Sequence, residues 1–588
     1  MALLLISTLA SGQANAQKYN WEEAERRIKA ATAIEAIDDA DFGENIRLYD
    51  GSLGFSTVDV DVPGLGLPVS LGRRYTVENR KDYPTDGMMA DWQLDVPSVS
   101  GIFMQNWESS SGVAGKRCSV GLVTAPPPAY PGAQMIFHAD FWQGNQLNLP
   151  GREQGEMLIP NADVPRPSTG GPYYWISAAK TYFACLASIK NGGGEGFIAT
   201  TADGTRYWFD WMAQHGEPNY IVYNAGQYPR KRNVLYATRV EDRFGNWVSY
   251  TYTNAWNASG RLTEVRGSDG RVLQLSYNAS GHVSAIVAGA RRWEYQYVDI
   301  ERGRKSLSKV VLPDGSSWGI GFSAFSRLEV LYPRFNPRPG ESERDCFSNP
   351  PPLNNNPASG TLSHPSGATV EYTVALRGHG RSNVPVFCLN YSSNNNDPND
   401  DVNRWPFGYE SYTLLSRRMT GAGLPPSEKL YSYTTSSTPR SIYYPGGNVN
   451  NPCPAGTDCG AAICTSDSCA GTKFTVVSGP GGQWSRYTFG NSYRYNEAKL
   501  LKVEVGRSAS SILSTTTNTY DLSGSNAAYP ARYGQSPRGP DDSFVSEYHR
   551  PLLRRVVVQQ GMALTEEFSG FDFLSRPGVI KKFSSVQP

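Results

Sequence analysis

The stretch Asp269-Gly270-Arg271-Val272-Leu273-Gln274-Leu275-Ser276-Tyr277-Asn278-Ala279-Ser280-Gly281-His282-Val283 decides the fold. An Asp-Gly pair, which favours a two-residue hairpin turn, leads a run in which Leu273, Leu275 and Tyr277 take every second place. A second glycine, Gly281, then restarts the pattern. In a strand every second side chain lies on one face, so the stretch predicts turn, strand, turn, strand, with those three residues entering a core.

The same pattern of a glycine followed three, five and seven places later by large residues recurs along the chain. Gly204 leads Tyr207, Phe209 and Trp211, and Gly245 leads Val248, Tyr250 and Tyr252. Gly315 leads Trp318, Ile320 and Phe322, and Gly367 leads Val370, Tyr372 and Val374. Gly482 leads only Tyr487 and Phe489, with Ser485 in the first slot. Asp203 and Asp314 precede their glycines as Asp269 does. Recurrence of one short unit is the mark of a repeat architecture. Composition agrees: aromatics make up 12%, with 59 Gly and 40 Pro, as many short strands joined by tight turns require. At 588 residues the chain exceeds what one core usually supports, so two or more β-rich units in contact are expected.

Charge narrows the partners. Lys and Arg total 55 against 54 Asp and Glu, which argues against nucleic acid as a partner. Mean hydropathy is −0.45 and no long apolar run follows the first residues, so no transmembrane segment is expected in the mature chain. Those first residues, apolar from Met1 to Ala10 and closing on Ala14-Asn15-Ala16, predict a signal peptide over 1–16 and a mature start at Gln17, although no Lys or Arg precedes the run. Residues 17–40 are expected to hold one short N-terminal helix, because Ala24, Ile28, Ala31 and Ile34 fall near the helical period among charged neighbours. A β-rich domain with long loops is expected over 41–199, with irregular structure from 100 to 235. The repeat region follows over 200–440, a Cys-rich insertion over 441–472, and further repeat-like β structure over 473–588.

Eight cysteines, an even number, suit an oxidising compartment. Cys453, Cys459, Cys464 and Cys469 cluster without a C-x-x-C pair or a nearby His, so two disulfides of open connectivity are expected there in preference to zinc. Cys118 with Cys185 and Cys346 with Cys388 are the expected long-range pairs.

Chemistry-bearing motifs are sparse. His138, His215, His282, His364, His379 and His549 are scattered, and His282 stands where the neighbouring repeat has Arg261, so it reads as a strand-surface residue. There is no G-x-S-x-G elbow, phosphate loop or complete dinucleotide fingerprint, so no catalytic, cofactor or metal site is expected. Asp59 and Asp61 alternate with valines and read as a solvated sheet face. Most aromatics read as core, while Trp107, Trp142, Trp175 and Trp405 are candidates for stacking on sugar rings.

Asp242-Arg243-Phe244-Gly245-Asn246-Trp247, then Gly260-Arg261-Leu262, Asp269-Gly270-Arg271, Tyr277-Asn278 and Gly281-His282-Val283 resemble the YD repeats of the RHS family. Asp50-Gly51-Ser52-Leu53-Gly54-Phe55 through Leu67-Pro68-Val69-Ser70-Leu71-Gly72-Arg73-Arg74-Tyr75 resembles the region that precedes the repeats in exported members. The resemblance implies a mainly β, antiparallel repeat sheet forming a spiral or partial shell, with no enzymatic activity of its own. It implies export to the periplasm, cell surface or medium, and a role in cell-surface interaction or interbacterial competition. The implied partner is a C-terminal or associated toxin. Two family features are absent here, the Asp-Pro-x-Gly core signature and a distinct effector domain after it. The competing reading is a secreted protein that binds or hydrolyses a cell-surface polysaccharide. Hydrolysis would need two carboxylates about 5 to 9 Å apart beside a groove.

Overall fold

The computed structural model describes residues 17–19, 42–81, 83–104, 115–119, 142–222, 226–331, 354–382, 384–385, 388–390, 401–403, 408–434, 442–443, 471–493, 495–523, 528–537 and 548–586. Among these, 31 strands join one sheet. From Tyr173–Ile176 to Pro577–Val586 the main strands pair antiparallel in sequence order, so the chain runs as one long up-and-down ribbon. Short 3-10 turns at Glu301–Gly303, Phe325–Arg327 and Pro480–Gly482 are the helical elements of the described residues.

The predicted repeat strands form where the alternation placed them. Leu273, Phe209, Phe322, Val370, Tyr372 and Phe489 are buried, while Tyr250, Tyr277 and Trp318 pack against the core from its margin. The turns are one residue longer than the Asp-Gly pair suggested. In the turn at 267–271, the Gly267 amide donates to the Arg271 carbonyl and the Gly270 amide donates back to Gly267, leaving a three-residue loop. The turn at 242–246 has the same two bonds. Gly270 and Gly245 sit at φ 87° and 85°, the left-handed conformation that closes such a loop and that a side chain resists. The aspartate's role is also different. In the 242–246 turn it precedes the glycine by three places, where Asp242 Oδ1 accepts the amides of Phe244 (2.8 Å) and Asn246 (3.0 Å).

A second regularity explains why the strands favour Tyr over Phe. The hydroxyls of Tyr252, Tyr277 and Tyr297 donate to the carbonyls of Ala237, Leu262 and Val283, at 3.2, 2.7 and 2.8 Å. Each ring fills the core while its hydroxyl pairs with a backbone oxygen that burial would otherwise penalise.

The early part of the chain is more ordered than its sequence suggested. The region read as irregular contains the two longest strands, Arg206–Val222 and Gly226–Glu241, paired along their length. Ser98–Met104 joins the second of them, and Trp142–Leu149 and Glu153–Glu156 extend that edge. The N-terminal helix expected within 17–40 has its helical pattern on residues 20–41, which lie outside the described residues, while Gln17–Tyr19 is a strand parallel to Asn219–Ile221.

Candidate functional site

The site is a seam. A lead segment, residues 42–96, folds into its own antiparallel ladder of Glu44–Arg47, Ser52–Val62, Val69–Thr76 and Gln93–Asp95. Its apolar face (Leu53, Phe55, Val60, Leu71, Tyr75, Trp92) shares one core with Leu273, Ile286, Leu307, Phe322, Val370 and Leu414 of the repeat strands. Among the described residues one strand pair, Ser52 with Thr413, links this ladder to the repeat sheet, and a few single backbone bonds add to it, as from the Val283 amide to the Met88 carbonyl (2.7 Å) and from the Arg80 amide to the Leu328 carbonyl (2.8 Å). The rest of the join is made by side chains: aromatic packing, as in Trp92 stacked on Phe322 at 5.7 Å, and a series of polar clamps.

The clamps run the length of the segment. Arg271 donates to the carbonyls of Val62 (2.5 Å) and Leu67 (2.8 Å). Asp59 and Arg73 form a fully buried ion pair at 3.0 Å, completed by the Tyr295 hydroxyl at 3.2 Å. Asp91 accepts from Ser306 Oγ (2.7 Å), Leu307 N (2.9 Å) and Ser326 Oγ (2.5 Å). Glu44 pairs with Arg417 at 2.6 Å, Tyr49 donates to Asn491 at 3.0 Å, and Thr475 donates to the Leu48 carbonyl. Each clamp joins residues more than 200 positions apart, apart from the local Asp59–Arg73 pair. Burial raises the pKa of Asp91 and of Asp59, against the pull of their donors, so desolvation weighs on both carboxylates.

Asp59 corrects the reading of a solvated face. A bulge between Val58 and Val60 inserts an extra residue against Gly72 and Leu71, turning Asp59 inward while Asp61 stays exposed. The reading of His282 as a strand-surface residue is corrected too. His282 is buried, with Nδ1 3.1 Å from the Gly87 carbonyl. His379 and His549 are buried as well. His215 lies 3.5 Å from Asp86 and 3.4 Å from the Tyr236 hydroxyl, and His364 packs on Trp318; His138 lies outside the described residues.

A cavity of about 130 Å³ opens beside the seam, lined by Asp86, Asp91, Glu217, His215, Tyr236 and Trp92 among others. Of its carboxylates, Asp91 is held as above, Glu217 by Arg232 at 3.1 Å, and Asp86 by the Gly216 amide at 3.0 Å and by His215, while Glu78 is 43% exposed and lies 3.7 Å from Arg80.

Of the expected disulfides, Cys118–Cys185 is formed, bridging the 115–119 segment to the strand Tyr182–Leu186. Glu195 lies beside it and accepts the amides of Cys118 and Ser119. Cys388 begins the short strand Cys388–Asn390, while Cys346, Cys453, Cys459, Cys464 and Cys469 lie outside the described residues. Trp175, a candidate for sugar stacking, is buried and donates to the Cys118 carbonyl at 2.8 Å, so it is a core residue. Trp107 and Trp405 fall outside the described residues, and Trp142 opens a strand.

The lead segment does not cover the whole face it packs on. Tyr487, which touches the shared core, stands opposite Val503, then in turn Thr516, Val557 and Leu564, so these residues continue one face of the sheet. Beyond Ala498 that face leaves the core: Val505, Leu564 and Ile580 are 43%, 55% and 53% exposed. Every residue of the last described strand, Pro577–Val586, is exposed.

Fold and seam together define a class, an antiparallel β-repeat protein with an internal lead segment. Residues 256–292 match the RHS Repeat family model, so the chain carries an RHS repeat within its antiparallel sheet. No curated protein matches it. Similar solved structures include a crystal structure of TcdB2-TccC3, at 8% identity and TM-score 0.29, covering 94% of this chain and 37% of that one. A second is TcdB2-TccC3-Cdc42, at 9% identity and TM-score 0.27, covering 92% and 36%. A third is the Photorhabdus luminescens Tc holotoxin pore with a mutated TccC3, at 8% identity and TM-score 0.26, covering 93% and 36%. The chain thus spans little more than a third of the length of those structures.

Proposed function

We propose that this chain is an exported, non-enzymatic shell protein whose uncovered inner face receives a toxin polypeptide, carried in the same product or associated with it, for use against neighbouring cells. The observation that carries the reading is the division of the inner face: filled by the lead segment up to about Ala498, and uncovered beyond it, where Val505, Leu564 and Ile580 stand exposed around the ion pairs of Glu566 with Arg555 and Lys582. An uncovered face that mixes exposed apolar side chains with charges suits a polypeptide partner. The single disulfide of the described residues accords with an oxidising compartment.

A photoreactive amino acid at Leu564, introduced in the producing cell, tests this. The expected result is a covalent adduct with a polypeptide, identified by mass spectrometry in the exported fraction. Adducts with polysaccharide alone, or none, would overturn it.

A further inference from the structure

The connection between the strands Ser511–Tyr520 and Leu552–Gln559 meets the beginning of the ribbon. Residues 528–537 and 548–551 dock on the first strands of the sheet: Gly534–Gln535 pairs with Ile159–Pro160, and Tyr533 packs among Leu158, Val164, Tyr173, Ile176 and Tyr182. Asn161 donates to the Arg532 carbonyl at 3.0 Å, and Ser536 donates to Glu156 at 3.0 Å. At the centre of this contact two basic groups share one ring. The Lys180 ammonium lies 3.2 Å from the Tyr533 ring centroid, and His549 stacks on the same ring at 5.1 Å. His549 Nδ1 lies 2.8 Å from the Pro530 carbonyl, which makes Nδ1 the protonated nitrogen of the neutral ring. Its Nε2 is buried with no hydrogen-bond partner among the described residues. A second proton would create a buried N–H without an acceptor beside a lysine.

We propose that this contact is an acid-released latch: protonation of His549 at Nε2 detaches residues 528–537 from the first strands of the sheet while the repeat strands stay folded. The surrounding charges do not prevent it. Glu153, the carboxylate that faces Lys180, accepts from the Ala179 amide and the Thr181 hydroxyl. Asp572, on the His549 side, is bound by Arg576 and two backbone amides, and those bonds hold its carboxyl low despite burial. Arg532 and Arg550 lie over Tyr548, Tyr529 donates to Asp521, and Glu156 holds Ser536, so none of these offers an acceptor to Nε2. Burial first, and then Lys180, push His549 down to about 4, and burial pushes Lys180 down to about 7.

The sign follows from these directions. A released His549 takes up its proton near pH 6.5, whereas the docked one does so only near 4, so docking weakens steadily as pH falls between the two. The full span corresponds to a fall of up to about 300-fold in the docking equilibrium. Lys180 acts earlier in the same sense, weakening the contact as pH falls from about 10.5 to about 7.

Hydrogen exchange of the exported protein between pH 7.5 and 4, corrected for intrinsic exchange rates, tests the latch. The expected result is loss of protection at residues 531–536 below pH 6.5 while Leu262–Gly267 and Val272–Tyr277 keep theirs. His549→Asn, whose amide can replace the Nδ1 bond but cannot take the charge, should keep 531–536 protected. Lys180→Met, which removes the neighbouring cation and lets the docked imidazole protonate more readily, should show a smaller loss than the wild type. Unchanged protection of 531–536 in the wild type down to pH 4, or equal loss in His549→Asn, would overturn the proposal.

Discussion

Replacing Asp91 is the sharpest probe of how the lead segment is held. Its carboxylate takes three donors from two separate parts of the repeat region, and alanine would remove all three bonds at once. Ser326 Oγ has a second acceptor 3.2 Å away in the Phe322 carbonyl, so that hydroxyl can turn and recover part of its loss. The Leu307 amide sits deep in the core, and an orphaned buried donor costs about 1 to 3 kcal/mol. With the lost bonds from the serines added, Asp91→Ala should destabilise the protein by about 3 to 4 kcal/mol. Asp91→Asn should cost only about 1 kcal/mol, because its carbonyl oxygen still accepts from Leu307 and both serine hydroxyls can turn to accept from the amide. Burial already disfavours the charge of Asp91, which is a further reason for the amide to be tolerated. Urea-dependent resistance to a pulse of protease would measure both variants. An Asn variant as damaged as the Ala variant would show that the charge, not the hydrogen bonding, holds the segment. An Ala variant within about 0.5 kcal/mol of wild type would refute the clamp.

Other variants separate the remaining contributions. Gly245→Ala and Gly270→Ala, each in an open space but at positive φ, should cost about 1 to 2 kcal/mol through backbone strain alone, read from the same urea midpoints. Tyr277→Phe should lose about 1 kcal/mol with the hydroxyl bond to Leu262, while Tyr277→Ala should lose about 3 to 5 kcal/mol with the ring. A peptide map of the non-reduced exported protein should contain Cys118 joined to Cys185, and Cys185→Ser should lower stability by up to about 4 kcal/mol for a crosslink spanning 67 residues.

The repeat strands were legible because their signal is local. Leu273, Phe322 and Val370 follow a turn glycine at fixed spacing, and a period of two is enough to place them in a core. Turn length was not legible, since an Asp-Gly pair is compatible with both a two-residue hairpin and the three-residue loop that forms. Asp59 escaped because a bulge shifts the alternation by one residue, and no composition signal marks the bulge. His282 escaped for a different reason: its acceptor at Gly87 lies 195 residues away, and only the tertiary fold brings the two together. Arg206–Val222 was legible only at its start, in Tyr207, Phe209 and Trp211; the rest of it and Gly226–Glu241 were hidden because an interrupted alternation, with register shifts at Phe209 and between Glu217 and Tyr220, dilutes the strand pattern. The long-range pair Cys118–Cys185 could be anticipated from cysteine number, whereas the clamps at Asp91 and Glu44 use residues that look like ordinary surface acids in sequence.

The lead segment shares the core of the repeat sheet and is not a separate unit resting on it. Native-state hydrogen exchange in low urea measures this directly, by comparing Ser52–Val62 and Val69–Thr76 with Leu262–Gly267 and Val272–Tyr277. A shared core predicts one opening free energy and one urea dependence for all four strands. Exchange of Ser52–Val62 and Val69–Thr76 through an earlier opening, with the repeat strands still protected, would contradict it.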